Sequence, residues 1–284
     1  MIGPDRLARA TAEAAVPEQV VAYVAAVAGS RPLMIGDCVG FASGGALVLV
    51  GYPLHEPGDA KALAAAVDRA LQMPGLERIT VIGAARPPQA PPTAMVAQDI
   101  YYALPVPAPP PAQKLRNLLR RAQRELSLVQ GRSWENDHAA LVQRRLHEGR
   151  LAAGTRHIFG QLPRYIEASA GSLVVSGRRA DGRLAAFAVG EFAALTTAFF
   201  MFCFRDPELA PPGSADLVLS GLLEEARRRG QTRMNLGLGV NAGISFFKRK
   251  WGAEPFLPYV ETSWEVKPRG FISKLRRLVV KGET

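Results

Sequence analysis

Cysteine and histidine are scarce in this chain of 284 residues: two cysteines, Cys38 and Cys203, and four histidines. The cysteines lie far apart, and neither has a Cys or His neighbour at metal-ligand spacing. That argues against a disulfide framework and against a bound metal, and makes a reducing, cytoplasmic setting the simplest expectation. Long apolar runs are missing as well. No window reaches the ~20 apolar residues that span a bilayer. The stretch 184–204 comes nearest, but it carries Glu191 and is rich in strand formers, so it reads as two buried strands. The N-terminus lacks the basic start and continuous apolar run of a secretory signal. Neither GxGxxG nor GxxxxGK[ST] occurs, so nucleotide folds built on those loops are not expected.

What is present fits a soluble globular protein: 48% hydrophobic and 21% charged residues, in a length that suits one large domain or two ordinary ones. The net charge of +10 is unevenly placed. Residues 1–105 hold 7 basic and 9 acidic side chains; residues 106–284 hold 28 and 16. The basic half points to an anionic partner such as nucleic acid, a phosphorylated cofactor or a lipid headgroup. An Arg-rich composition of solvated surface is the plainer alternative.

The sequence VPAPPPAQ (106–113) is an extended, proline-fixed linker that divides the chain. Before it, strands at 46–50, 78–83 and near 95–103 and a helix at 59–72, N-capped by Asp59, make an α/β unit of residues 1–105. After it, 113–126 is an amphipathic helix with Leu115, Leu118, Leu119, Ala122 and Leu126 on one stripe and five cations elsewhere. Helices follow at 135–149 and 158–167, then a hairpin at 171–192 and a strand at 196–204. The helix 214–230 has Ser214 as its expected N-cap, and the strand 233–239 leads into a short helix at 242–252 and a last strand at 256–266. This is an α/β (α+β) layout around a mixed sheet, with a second domain over 114–267 and a basic amphipathic tail, 268–284.

The order strand, helix ending ARRRG, strand ending NLGLG, then GISFFKRKWGAEP resembles the C-terminal half of proteins in the GNAT acyltransferase superfamily. Within it the chain is similar to the Fem-type aminoacyl-tRNA-dependent transferases and the lysyl-phosphatidylglycerol synthase catalytic domain. LRNLLRRAQRELSL (115–128) resembles the basic helix those families carry before the motif. The resemblance spans about 110–265 and implies two tandem GNAT-like units, the first degenerate. It implies an aminoacyl group moved from aminoacyl-tRNA to an amine or hydroxyl of a lipid or peptide. The coenzyme A signature is absent, the loop reading FRDPELAPPGSAD instead. An acyl-CoA or acyl-carrier-protein thioester is the alternative donor, and a non-catalytic basic RNA- or membrane-binding module is the third reading. No tightly bound cofactor is expected.

The resemblance makes Lys248 the electrophile near the transferred carbonyl; a solvated Lys on a short helix is the alternative. Phe247 and Asn241 flank it as substrate contacts. Arg249 and Lys250 leave the helix in other directions and suit anion or RNA contacts, or plain solvated charge. Gly237 and Gly239 expose backbone N–H groups at a strand-to-helix turn that can cradle an anion, or serve the turn alone. For a base, Glu191 in an apolar strand and Asp206, with Glu208 and Asp216, at the end of the third strand are candidates. Arg120 and Arg121 on the basic helix suit tRNA phosphates, where affinity falls with salt; an acidic carrier protein fits the same charge. Residues 271–282 suit an anionic membrane surface, which would make the protein peripheral to the inner face of the membrane, or equally a cap on the domain.

Overall fold

The computed structural model describes residues 4–148 and 151–266, so the basic tail lies outside the described residues. Two short helices, α1 (Pro4–Ala12) and α2 (Val21–Ala28), precede a meander of β1 (Arg31–Ile35), β2 (Cys38–Ser43) and β3 (Ala46–Gly51). Helix α3 (Ala60–Ala70) crosses to β4 (Arg78–Gly83). Asp59 caps α3 as expected, accepting the Lys61 and Ala62 amides at 2.9 and 3.0 Å. Leu63, Ala66, Val67 and Ala70 form its buried stripe. The long strand β5 (Met95–Pro105) then runs up to the proline-rich linker.

Beyond the linker come α4 (Gln113–Glu125), β6 (Ser127–Gly131), α5 (Asn136–Glu148), α6 (Ala153–Gly160) and α7 (Leu162–Ala168). The hairpin β7 (Ser172–Arg178) and β8 (Leu184–Glu191) leads to β9 (Thr197–Arg205), α8 (Ser214–Arg228), β10 (Arg233–Leu238), α9 (Ala242–Lys250) and β11 (Glu254–Glu265). All eight residues of β8 are buried, which explains its unbroken apolar run. Gly213, not Ser214, is the N-cap of α8; Ser214 instead donates its hydroxyl to the Pro211 carbonyl.

The eleven strands form one mixed sheet in the order β1-β2-β3-β4-β11-β5-β10-β9-β8-β7-β6. The last strand does not stay with the unit that precedes it in sequence. β11 inserts between β4 and β5, antiparallel to both, and so joins the two halves. Helices α4, α8 and α9 cover one face of the second half, through Leu115, Leu219, Leu222 and Trp251. Helices α2, α5, α6 and α7 cover the other, through Val27, Leu141, Tyr165 and Ile158. The N-terminal segment staples the halves: Asn235 donates to the Ala15 carbonyl at 2.9 Å and Leu195 to Ala12 at 2.8 Å.

Candidate active site

Each half has one parallel strand pair, and the pairs end differently. β3 and β4 pair over their full length, from Ala46 opposite Arg78 to Gly51 opposite Gly83. β9 and β10 pair only from Thr197 opposite Arg233 to Phe199 opposite Asn235. Beyond that point β9 continues to Arg205 and β10 to Leu238 without partnering each other, so a wedge opens between them.

The cause lies in β10. Its pairing with β5 jumps from Asn235 opposite Ala103 to Leu238 opposite Tyr101, a bulge with Gly237 at φ +77°. Fully buried Asn235 holds the bulge by accepting the Gly237 amide at 2.8 Å while its own amide is tied to Ala15. The strand bends away from β9 there.

Helix α9 closes one side of the wedge. Asn241 caps it, accepting the Ile244 amide at 3.0 Å. Lys248 is only 3% exposed, and its Nζ donates to the Leu238 carbonyl at the end of β10. The Tyr102 ring lies beneath it, 5.8 Å from Nζ. Burial pushes the amine down from the ordinary 10.5 to about 8, with the Asp99 carboxylate opposing that fall. A Cβ at Gly237 would sit 3.8 Å from Nζ, so the glycine keeps the space beside the ammonium clear. Phe247 stacks on Phe200 of β9 with centroids 6.2 Å apart, and this apolar wall keeps the local dielectric low.

The three cations of the KRK run divide. Lys248 is buried, Arg249 is exposed, and Lys250 pairs with Asp216 at 2.7 Å. Asp216 also accepts the Trp251 indole N–H at 2.9 Å. A buried carboxylate thus stands in the first turn of α8, where the positive end of the helix would otherwise face an anion. Helix α4 crosses the same turn: a Cβ at Gly213 would be 2.4 Å from the Leu118 carbonyl oxygen.

The candidate bases Glu191 and Asp206 have partners other than Lys248. Glu191 is fully buried on the opposite face, accepting the Tyr165 and Ser169 hydroxyls at 2.8 and 2.6 Å and the Phe192 and Ala193 amides. Asp206 caps the turn after β9 through the Glu208 and Leu209 amides and pairs with Arg144 at 3.0 Å. It lines a cavity with Arg183 and Leu141, and a neighbouring cavity is lined by Arg145, Cys203 and Arg205. Burial pushes the Cys203 thiol up to about 12, so it stays protonated. The Gly237 and Gly239 amides are both engaged, by Asn235 and by Asp99 and Ile100, which removes them as a free anion cradle. On α4, Lys114, Arg120, Arg121 and Arg124 are exposed, and none has an acidic partner among the described residues. Asp99, Tyr102 and Asn235 escaped sequence reasoning. The Asn-x-Gly spacing within a strand was the available signal for Asn235.

Residues 113–249 match the family described as Acetyltransferase (GNAT) domain. Among solved structures, a conserved protein of unknown function from Bacteroides thetaiotaomicron is 13% identical with a TM-score of 0.63, over 93% of this chain and 96% of that one. The C-terminal domain of a candidate lysylphosphatidylglycerol synthetase from Agrobacterium fabrum is 16% identical with a TM-score of 0.59, over 96% and 95%. FemX is 9% identical with a TM-score of 0.63, over 98% and 99%. A sequence search of curated proteins finds no match. At these identities the structural likenesses speak for the fold alone, and the matched stretch 113–249 contains the open strand pair β9–β10 and Lys248.

Proposed function

We propose that the protein is an acyltransferase that moves an aminoacyl group from aminoacyl-tRNA to an amine or hydroxyl of a lipid or peptide, with the chemistry in the β9–β10 wedge. The observation that carries this reading is the buried Lys248 amine, poised at about 8 against an apolar wall. An ammonium has three N–H donors. With one on the Leu238 carbonyl, the others can meet the oxygen of the transferred carbonyl as it gains charge. The acceptor nitrogen or oxygen bonds to the carbonyl carbon, and the ester bond to the tRNA ribose breaks. The acceptor's proton ends on the departing ribose hydroxyl, directly or through water. No side-chain base is assigned, because Glu191 is enclosed on the other face and Asp206 is held by Arg144.

The donor reading rests on two further features. Arg120 and Arg121, with Lys114 and Arg124, form an exposed basic row with no acidic partner among the described residues, suited to RNA phosphates. Asp216 stands in the first turn of α8 and the Leu118 carbonyl of α4 packs against the Gly213 cap, which leaves little room for a pyrophosphate there and weighs against a coenzyme A thioester. No helix among the described residues is long and apolar enough to cross a membrane. A lipid acceptor would therefore be met at a surface, with residues 271–282 as the proposed contact.

Retention of the purified protein on a bulk charged-tRNA pool, over a salt series with acyl-CoA as competitor, tests the reading. Salt-sensitive binding that prefers charged over deacylated tRNA and ignores CoA esters is expected. Displacement by acyl-CoA would replace it with the thioester-dependent enzyme. Binding indifferent to the aminoacyl group would replace it with a polyanion-binding module.

A further inference from the structure

Lys248 belongs to the second half of the chain, but the carboxylate nearest in effect to it comes from the first. Asp99 sits on β5, one strand over from β10, in the pairing register of Tyr259. One of its oxygens accepts the Ile100 amide at 2.7 Å and the Gly239 amide at 3.0 Å; the other accepts the Val240 amide at 2.9 Å. Gly239 and Val240 are residues that carry the chain from β10 into α9. Val240 has φ +57°, a left-handed conformation that a β-branched residue adopts at a cost, and its amide is one of those Asp99 holds. A Cβ at Gly239 would lie 2.8 Å from Asp99 Oδ1, so the carboxylate seats against the bare glycine.

We propose that Asp99 is a positioning residue of the transfer site: its carboxylate fastens the β10–α9 turn to β5 and thereby fixes the Lys248 ammonium at the mouth of the wedge. The proposal rests on Lys248 being the group that meets the transferred carbonyl.

Among the described residues, the charged and titratable groups around Lys248 leave Asp99 without a rival. Tyr102, also on β5, presents its ring. β10 presents the Leu238 carbonyl. Asp216 on α8 is held by Lys250 and Trp251, and Arg249 and Lys250 on α9 itself are cations. Asp99 is the charge that favours the protonated amine, against the burial that disfavours it.

The test reads Lys248 directly and needs no substrate. Competitive labelling with trace acetic anhydride across the pH range around 8, followed by mass spectrometry, gives a titration midpoint for each lysine in the folded protein. In Asp99→Asn the amide oxygen can still accept the Ile100 and Gly239 amides, but the charge and the Val240 bond are lost. The Lys248 midpoint is expected to fall by about one pH unit. The extent of labelling at Lys250, which is held by Asp216, serves as the internal control and is expected to be unchanged. Asp99→Glu, which keeps the charge on a longer arm, is expected to bring the Lys248 midpoint back toward the wild-type value. A Lys248 midpoint unmoved in Asp99→Asn, or a shift accompanied by an equal change in Lys250 labelling, overturns the proposal. Should Asp99→Asn fail to fold, Asp99→Glu decides alone: a Lys248 midpoint as low as that expected for the amide contradicts a role for the charge. A correct midpoint shift with no transfer from charged tRNA would reject the donor assignment and leave the role of Asp99 intact.

Discussion

The two halves of the molecule begin their second parallel strand alike and finish it differently. β4 reads Arg-Ile-Thr-Val-Ile-Gly and stays paired with β3 to its last residue. β10 reads Arg-Met-Asn-Leu-Gly-Leu and leaves β9 after its third residue. In the first half, Leu63 of α3 packs onto the closed end: a Cβ at Gly51 would come within 2.4 Å of its Cδ1 and one at Gly83 within 3.3 Å of its Cδ2. In the second half, Asn235 and Gly237 build a bulge, and the space it opens receives an amine instead of a leucine. The proposed site therefore depends on a local failure of strand pairing, held in place by one buried asparagine and one left-handed glycine.

Making the second half resemble the first should have the largest effect. Gly237→Val places a branched side chain beside the Lys248 ammonium at φ +77°. Transfer is expected to drop by about 10²–10³, the usual consequence of displacing one donor to a developing oxyanion. The same substitution should cost about 1–3 kcal/mol in chemical denaturation because of the backbone strain.

The reverse change, Leu63→Ala, should cost about 2–5 kcal/mol on denaturation, since the side chain is 4% exposed and the cavity cannot refill. It should leave the transfer rate unchanged, because opening the first half supplies no amine. An altered rate per folded molecule would show that the first half contributes to the site.

Lys248 should make the folded protein more stable as pH rises. Its amine titrates at about 8 when folded and near 10.5 when unfolded, so between these values the unfolded chain binds more protons. Stability should climb across that window by about 3 kcal/mol at most. Lys248→Met should remove the climb, as denaturation at the two ends of the window would reveal.

The smallest effect belongs to the first half. His55 is held by Asp37 at 2.6 Å and by Asp59 at 3.1 Å, and these bonds raise the imidazole above its ordinary 6.5. The contribution is fully present below the unfolded value and is lost as pH rises through the folded one. His55→Gln should flatten a shallow decline in stability over that range, and an identical decline in both proteins would rule it out.

The sequence discloses what is local. The cap at Asp59, the hairpin around Asp181-Gly182 and the helix ended by Gly230 all follow from nearest-neighbour chemistry. The GNAT match was visible from the run through FFKRKWG. What stayed hidden depends on partners far along the chain. Nothing in the local pattern of β11 says that it inserts between β4 and β5. The spacing of Lys248, Arg249 and Lys250 cannot tell which is buried, which is exposed and which is neutralised, since Asp216 and Tyr102 make that decision. Glu191 looked unpaired in an apolar strand, yet Tyr165 and Ser169 from α7 and its neighbouring turn satisfy it.

The most direct test of the central claim compares wild type with Lys248→Met for release of the aminoacyl group from charged tRNA to added acceptor, in single-turnover conditions at pH below 8. A loss of about 10²–10³ in rate, with tRNA retention and folding preserved, is the result the account predicts. An unchanged rate in a folded variant would contradict it and move the chemistry out of the β9–β10 wedge.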